Sequence, residues 1–151
     1  MSVSGPIFGF AARYFVDVLI TIHRACPAVL LVDDSADTLE MYALGLTFAG
    51  YRVVTAHDAS SAIGQLAREP LDVVVTDLSL PGKSGWDLIQ AIRSQPSTRQ
   101  IPVVVLTGLS TPSIASCAKE TGCAAVLTKP CLPDDLARTL ERVLPHHSDA
   151  A

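Results

Sequence analysis

A chain of 151 residues with 49% apolar side chains is long enough for one domain with a sizeable core and too apolar for disorder to be the default. Its formal charge of −4, with only 11 Lys and Arg that do not cluster, argues against nucleic acid as a partner, because phosphate binding needs a basic face. Cys26, Cys117, Cys123 and Cys131 form no C-x-x-C and no zinc-finger spacing, so they read as reduced thiols, and the adjacent His146 and His147 lack the further ligands a metal site needs.

The first 26 residues stand apart. Phe8, Ala11, Ala12, Phe15, Val18, Leu19 and Ile22 recur at helical spacing, with Arg13, Tyr14, Asp17 and Thr21 mostly opposite, and predict an amphipathic helix. Whether it packs on the domain, packs on a second copy or stays a poorly ordered extension is open at this stage, and so is a homodimer. Residues 7–22 are short for a bilayer and are broken by Arg13 and Asp17. No basic region precedes them and no small-x-small cleavage site follows, so no membrane association and no secretory signal is expected, and the expected compartment is the cytoplasm.

From Pro27 onward strands and helices alternate. Residues 28–32 are an apolar run. Leu39, Tyr42, Ala43, Leu46 and Ala49 place a helix over 36–49, stopped by Gly50. A strand over 52–55 is followed by a helix over 59–69 that ends before Pro70. A strand over 72–76 precedes a helix over 85–94, with Pro96 beyond it, and "IPVVVL" forms a strand over 101–106. Thr111 caps a helix over 112–121, with Pro112 in its first position and Gly122 at its end. A short strand over 124–127 leads to a last helix over 133–144, whose first turn carries Asp134 and Asp135. Near-continuous apolar strands between amphipathic helices mean a parallel sheet covered on both faces. The predicted fold is α/β, a doubly wound, flavodoxin-like (βα)5 sheet in the order 2-1-3-4-5, spanning residues 27–145 and followed by a short polar tail, 146–151. No second domain is expected after Leu144.

In such a sheet, functional groups collect beyond the carboxyl ends of the strands. "AVLLVDDS" ends its strand in Asp33 and Asp34, and "VVVTDLSLPGKSG" ends its strand in Asp77. In the order 2-1-3 these strands are neighbours, about 4.8 Å apart, so three carboxylates converge. Three like charges in one pocket repel, and a divalent cation relieves the cost. All-oxygen ligands with room for water suit Mg2+. The next two strands end at Thr107, followed by Gly108, and at Lys129, followed by Pro130. A phosphoryl group on Asp77 would meet the cation, the Thr107 hydroxyl and the Lys129 ammonium together, and aspartate is a covalent phosphoryl acceptor.

Taken together and in order, "LLVDDS", "VVVTDLSLPGKSG", "VVVLTG" and "LTKP" resemble the receiver domain of two-component response regulators over about residues 27–145, as a stand-alone, single-domain member of that CheY-like family. The resemblance implies that Asp34 binds Mg2+ directly and Asp33 through water. It makes Asp77 both metal ligand and phosphoacceptor, and the backbone carbonyl of Ser79 the remaining protein ligand. Thr107 would move onto the phosphoryl group, Lys129 would pair with it, and Pro130 would follow a cis peptide bond. The donor would be a histidine kinase or histidine phosphotransfer protein. Output would be binding of a protein target by the face of the fourth helix, fifth strand and fifth helix. The protein would be no conventional enzyme, although it would catalyse its own phosphorylation and dephosphorylation. Two departures stand out: Val126 replaces the aromatic usual three residues before the lysine, and Gly108 replaces the commoner alanine.

Taken singly, these residues have plainer readings. Asp33 and Asp34 can cap a helix, Lys129 and Lys83 can be solvated charges, Trp86 can be packing near the site, and His23 can be a surface imidazole. Two other function classes remain. One is an interaction module that keeps the pocket without using phosphorylation, which Val126 motivates. The other is a phosphatase-type hydrolase of the haloacid-dehalogenase kind, which needs a second acid where this chain has Ser79.

Overall fold

The computed structural model describes residues 26–145 together with Tyr14 and Phe15. The helix expected in the first 26 residues lies outside the described residues apart from that helical pair, as does the tail 146–151. Five β-α units follow in order: β1 (Ala28–Val32), α1 (Ala36–Phe48), β2 (Arg52–Ala56), α2 (Ala59–Arg68), β3 (Val73–Thr76), α3 (Gly85–Ser94), β4 (Val103–Thr107), α4 (Pro112–Glu120), β5 (Ala125–Thr128) and α5 (Pro133–Val143). All strand pairs are parallel and the sheet order is β2-β1-β3-β4-β5, as the sequence predicts.

Strand alternation divides the core in two. Ala28, Leu30 and Val32 of β1 face α2 and α3, meeting Ala59, Ala62, Leu88, Ile89 and Ile92. Val29 and Leu31 face the other way and meet Leu39, Tyr42 and Leu46 of α1 with Leu136 and Leu140 of α5. Burial on both faces is why β1, β3 and β4 are apolar throughout.

Several predicted element ends shift by one or two residues, some of them for a clear local reason. Glu69 and Leu144 are extended caps rather than last helical residues, because each precedes a proline, which disfavours the helical conformation. β4 begins at Val103, since Pro102 has no N–H for the ladder, and it runs on to Thr107, whose carbonyl accepts the Lys129 N–H. Side-chain caps fix four helix starts: Ser35 accepts from the Thr38 N–H, Thr111 accepts from the Ile114 N–H as the sequence predicts, and Asp58 with Ser61 and Ser84 with Asp87 form reciprocal capping boxes.

Candidate functional site

The strand ends bring the predicted acids together. Asp33 donates its N–H to the Ala56 carbonyl, and Asp77 donates its own to the Val32 carbonyl, so both extend the ladder past β1 and β3. Asp33 and Asp77 are buried at 4% and 9% exposure, while Asp34 is exposed. One carboxylate oxygen from each of Asp33, Asp34 and Asp77 lies within 4.8 Å of the others.

Every oxygen of the two buried carboxylates has a donor. Asp33 Oδ1 accepts the Ser35 N–H at 2.9 Å and Asp77 Oδ1 accepts the Ser79 N–H at 3.1 Å, each acid folding onto the backbone two residues on. Lys129 Nζ spans the remaining pair, 2.6 Å from Asp33 Oδ2 and 2.9 Å from Asp77 Oδ2. Burial alone would lower the pKa of this ammonium, but the hydrogen bonds and attraction of Asp33 and Asp77 outweigh burial and raise it above 10.5. One cation thus bridges two members of a cluster of three carboxylates.

The loop after Asp77 depends on glycine twice. Gly82 has φ +76°, a left-handed turn position. Gly85 opens α3 against the chain it has just left: a Cβ there would run into the Asp77 carbonyl and lie 2.8 Å from Leu78 Cα. The same loop places the Ser79 N–H on Asp77 Oδ1. Thr107 is fully buried at the end of β4 and its hydroxyl accepts the Leu109 N–H at 3.3 Å, so in this structure it is tied to its own loop. The Lys129–Pro130 peptide is cis.

The remaining candidates are placed plainly. Trp86 lies in the first turn of α3, half-buried against the core, which is its packing reading, and Lys83 is exposed. Val126 is half-buried against the same core. All four cysteines are free thiols. Among the described residues, no helix is long and apolar enough to cross a membrane. One contact that the sequence reading missed is the Tyr42 hydroxyl, which donates to the Cys131 carbonyl at 2.6 Å. The helical spacing puts Tyr42 on the buried face of its helix, where a polar tip needs a partner.

The donor set fits a hard divalent cation. Its side chains, Asp33, Asp34 and Asp77, all offer carboxylate oxygens, and the one exposed member, Asp34, leaves a side open to water.

The chain resembles known proteins over most of its length. The family model for the response regulator receiver domain matches residues 29–141. A two-component response regulator of Oryza sativa subsp. indica is 32% identical over 122 residues, 80% of this chain and 83% of the relative. A probable cyclic di-GMP phosphodiesterase of Vibrio cholerae is 36% identical over 102 residues, 68% of this chain, although the chain spans only 23% of that relative's length. The solved chemotaxis response regulator CheY4 of Vibrio cholerae superposes with a TM-score of 0.74 at 34% identity, covering 79% of this chain and 99% of the other.

Proposed function

The chain belongs to the response regulator receiver domain family, and from that premise we propose that Asp77 accepts a phosphoryl group from a histidine kinase or histidine phosphotransfer protein. The observation that carries this reading is the setting of Asp77: a buried carboxylate at the sheet centre, one oxygen held by a backbone N–H and the other by Lys129, beside two more acids.

In the transfer, an Asp77 carboxylate oxygen forms a bond to phosphorus as the donor's phosphorus–nitrogen bond breaks. The donor imidazole keeps the electron pair and regains a proton. Asp33, Asp34, Asp77 and the Ser79 backbone carbonyl would hold Mg2+, which when bound neutralises charge on the transferring phosphoryl oxygens. The Ser79 N–H and Lys129 orient the Asp77 carboxylate, and burial on both strand faces keeps it from swinging into solvent. Lys129 then follows the new negative charge, and the Thr107 hydroxyl exchanges its Leu109 partner for a phosphoryl oxygen. The same groups would serve hydrolysis of the phosphate, so the protein catalyses its own phosphorylation and dephosphorylation without being a conventional enzyme. Output by protein–protein contact on the α4-β5-α5 face is supported by exposure there: α4 buries only Ala118 and β5 is half-buried. A cytoplasmic location belongs to the same reading.

The test is the intact mass after incubation with Mg2+ and acetyl phosphate, for the native chain and Asp77→Asn. A Mg2+-dependent gain of one phosphoryl mass, absent in the variant, is the expected result. No gain in a folded, Mg2+-binding native chain would favour the second reading, a phosphorylation-independent interaction module, which Val126 at the usual aromatic position supports. That module predicts that Asp77→Asn leaves partner binding unchanged.

A further inference from the structure

Lys129 is the site residue with the least support from its own strand. β5 is the sheet edge, and the helix before it, α4, buries one alanine. Yet the Lys129 ammonium is set between two carboxylates at the centre of the sheet. The segment that carries it, residues 129–133, running from the end of β5 to the first residue of α5, is gripped by α1 at two points. Tyr42, 2% exposed, donates its hydroxyl to the Cys131 carbonyl at 2.6 Å, across 89 residues of sequence. One turn along the same helix, Gly45 faces Pro133, and a Cβ on Gly45 would overlap the Pro133 Cβ. Glycine is an unfavourable residue inside a helix, and this close approach supplies its reason. One contact draws the segment in, and the other provides a seat with no side chain in it.

We propose that Tyr42 and Gly45 are positioning residues for Lys129: by fixing residues 129–133 against α1 they hold the ammonium between Asp33 and Asp77. The inference rests on the reading of Lys129 as the partner of the phosphoryl group on Asp77. It assigns a role to a hydroxyl that apolar packing does not require, since a phenylalanine ring would fill the same space in the core.

The experiment follows the rate of phosphoryl uptake from acetyl phosphate with Mg2+ by intact mass, in the full chain. The variants are Tyr42→Phe, Gly45→Ala, Lys129→Ala, and each of the first two combined with Lys129→Ala. Tyr42→Phe should slow uptake about threefold to tenfold, the range that one hydrogen bond spans. Gly45→Ala should slow it at least as much, by pushing Pro133 outward. In the Lys129→Ala background neither change should alter the residual rate, because both act through the missing ammonium. Equal slowing with and without Lys129, or no slowing in folded single variants, would overturn the proposal. If the native chain takes up no phosphoryl group, that failure belongs to the reading of Asp77. Positioning is then decided by the magnetic resonance signal of the Lys129 side-chain ammonium, which shifts in both single variants if the segment places it and stays put if it does not.

Discussion

β1, β3 and β4 are buried along their whole lengths, whereas β5 is half-buried on an open edge and the helix leading to it covers little. The pocket draws on both regions. Asp33, Asp34 and Asp77 stand on the packed centre, and Lys129 reaches them from the edge. The difference teaches a division of labour: the acids sit where the core fixes them, and the lysine comes to them from a thinly covered edge, so its place depends on what holds residues 129–133. Packed interiors resist small displacements, while thinly covered elements shift with little loss.

The largest expected effect sharpens that contrast in stability. Ile89 of α3 is fully buried against the central strands, and Ile89→Ala should cost about 2–5 kcal/mol in urea denaturation. Gly85→Ala comes next. Its methyl group meets the Asp77 carbonyl and Leu78, so a loss of about 1–3 kcal/mol is expected, with a shifted Asp77 amide resonance as the local sign.

High pH should act on the edge and on the α1 grip rather than on the centre. Burial raises Tyr42 above 10.0, burial and then Asp135 raise Cys131 above 9.0, and Asp33 with Asp77 raise Lys129 above 10.5 against the opposing effect of its burial. Each group holds its proton more tightly folded than unfolded. Their contributions are therefore intact below those ordinary values and are lost as pH climbs through the folded ones. The melting temperature should fall progressively above about pH 9, and Tyr42→Phe should flatten part of that fall. An unchanged profile in the variant would remove Tyr42 from the account.

The smallest effect belongs to α4. Ile114 is only partly buried, and Ile114→Ala should cost about 1 kcal/mol or less. A cost equal to that of Ile89→Ala would break the comparison between centre and edge.

Much of this was legible in the sequence because it rests on local signals. Apolar runs ending in Asp33 and Asp77, with prolines and glycines between them, dictate parallel strands whose ends meet, and the order 2-1-3 places the acids side by side. What could not be read depends on how distant segments approach one another. The sequence reading expected Lys129 to meet a phosphoryl group; that it already bridges Asp33 and Asp77 depends on where β5 lies beside β4 and how residues 129–133 turn. The Thr107 hydroxyl was expected to serve the pocket, and its bond to the Leu109 N–H depends on the turn after β4. Gly45 gave no sign of its purpose, because only the position of α5 shows that Pro133 needs the space.

The most direct test of the central claim locates the phosphoryl group. After incubation with acetyl phosphate and Mg2+, borohydride reduces an aspartyl phosphate to homoserine, and peptide mass spectrometry identifies the residue converted. The account predicts homoserine at position 77 and at no other aspartate. Conversion elsewhere with Asp77 intact would contradict it.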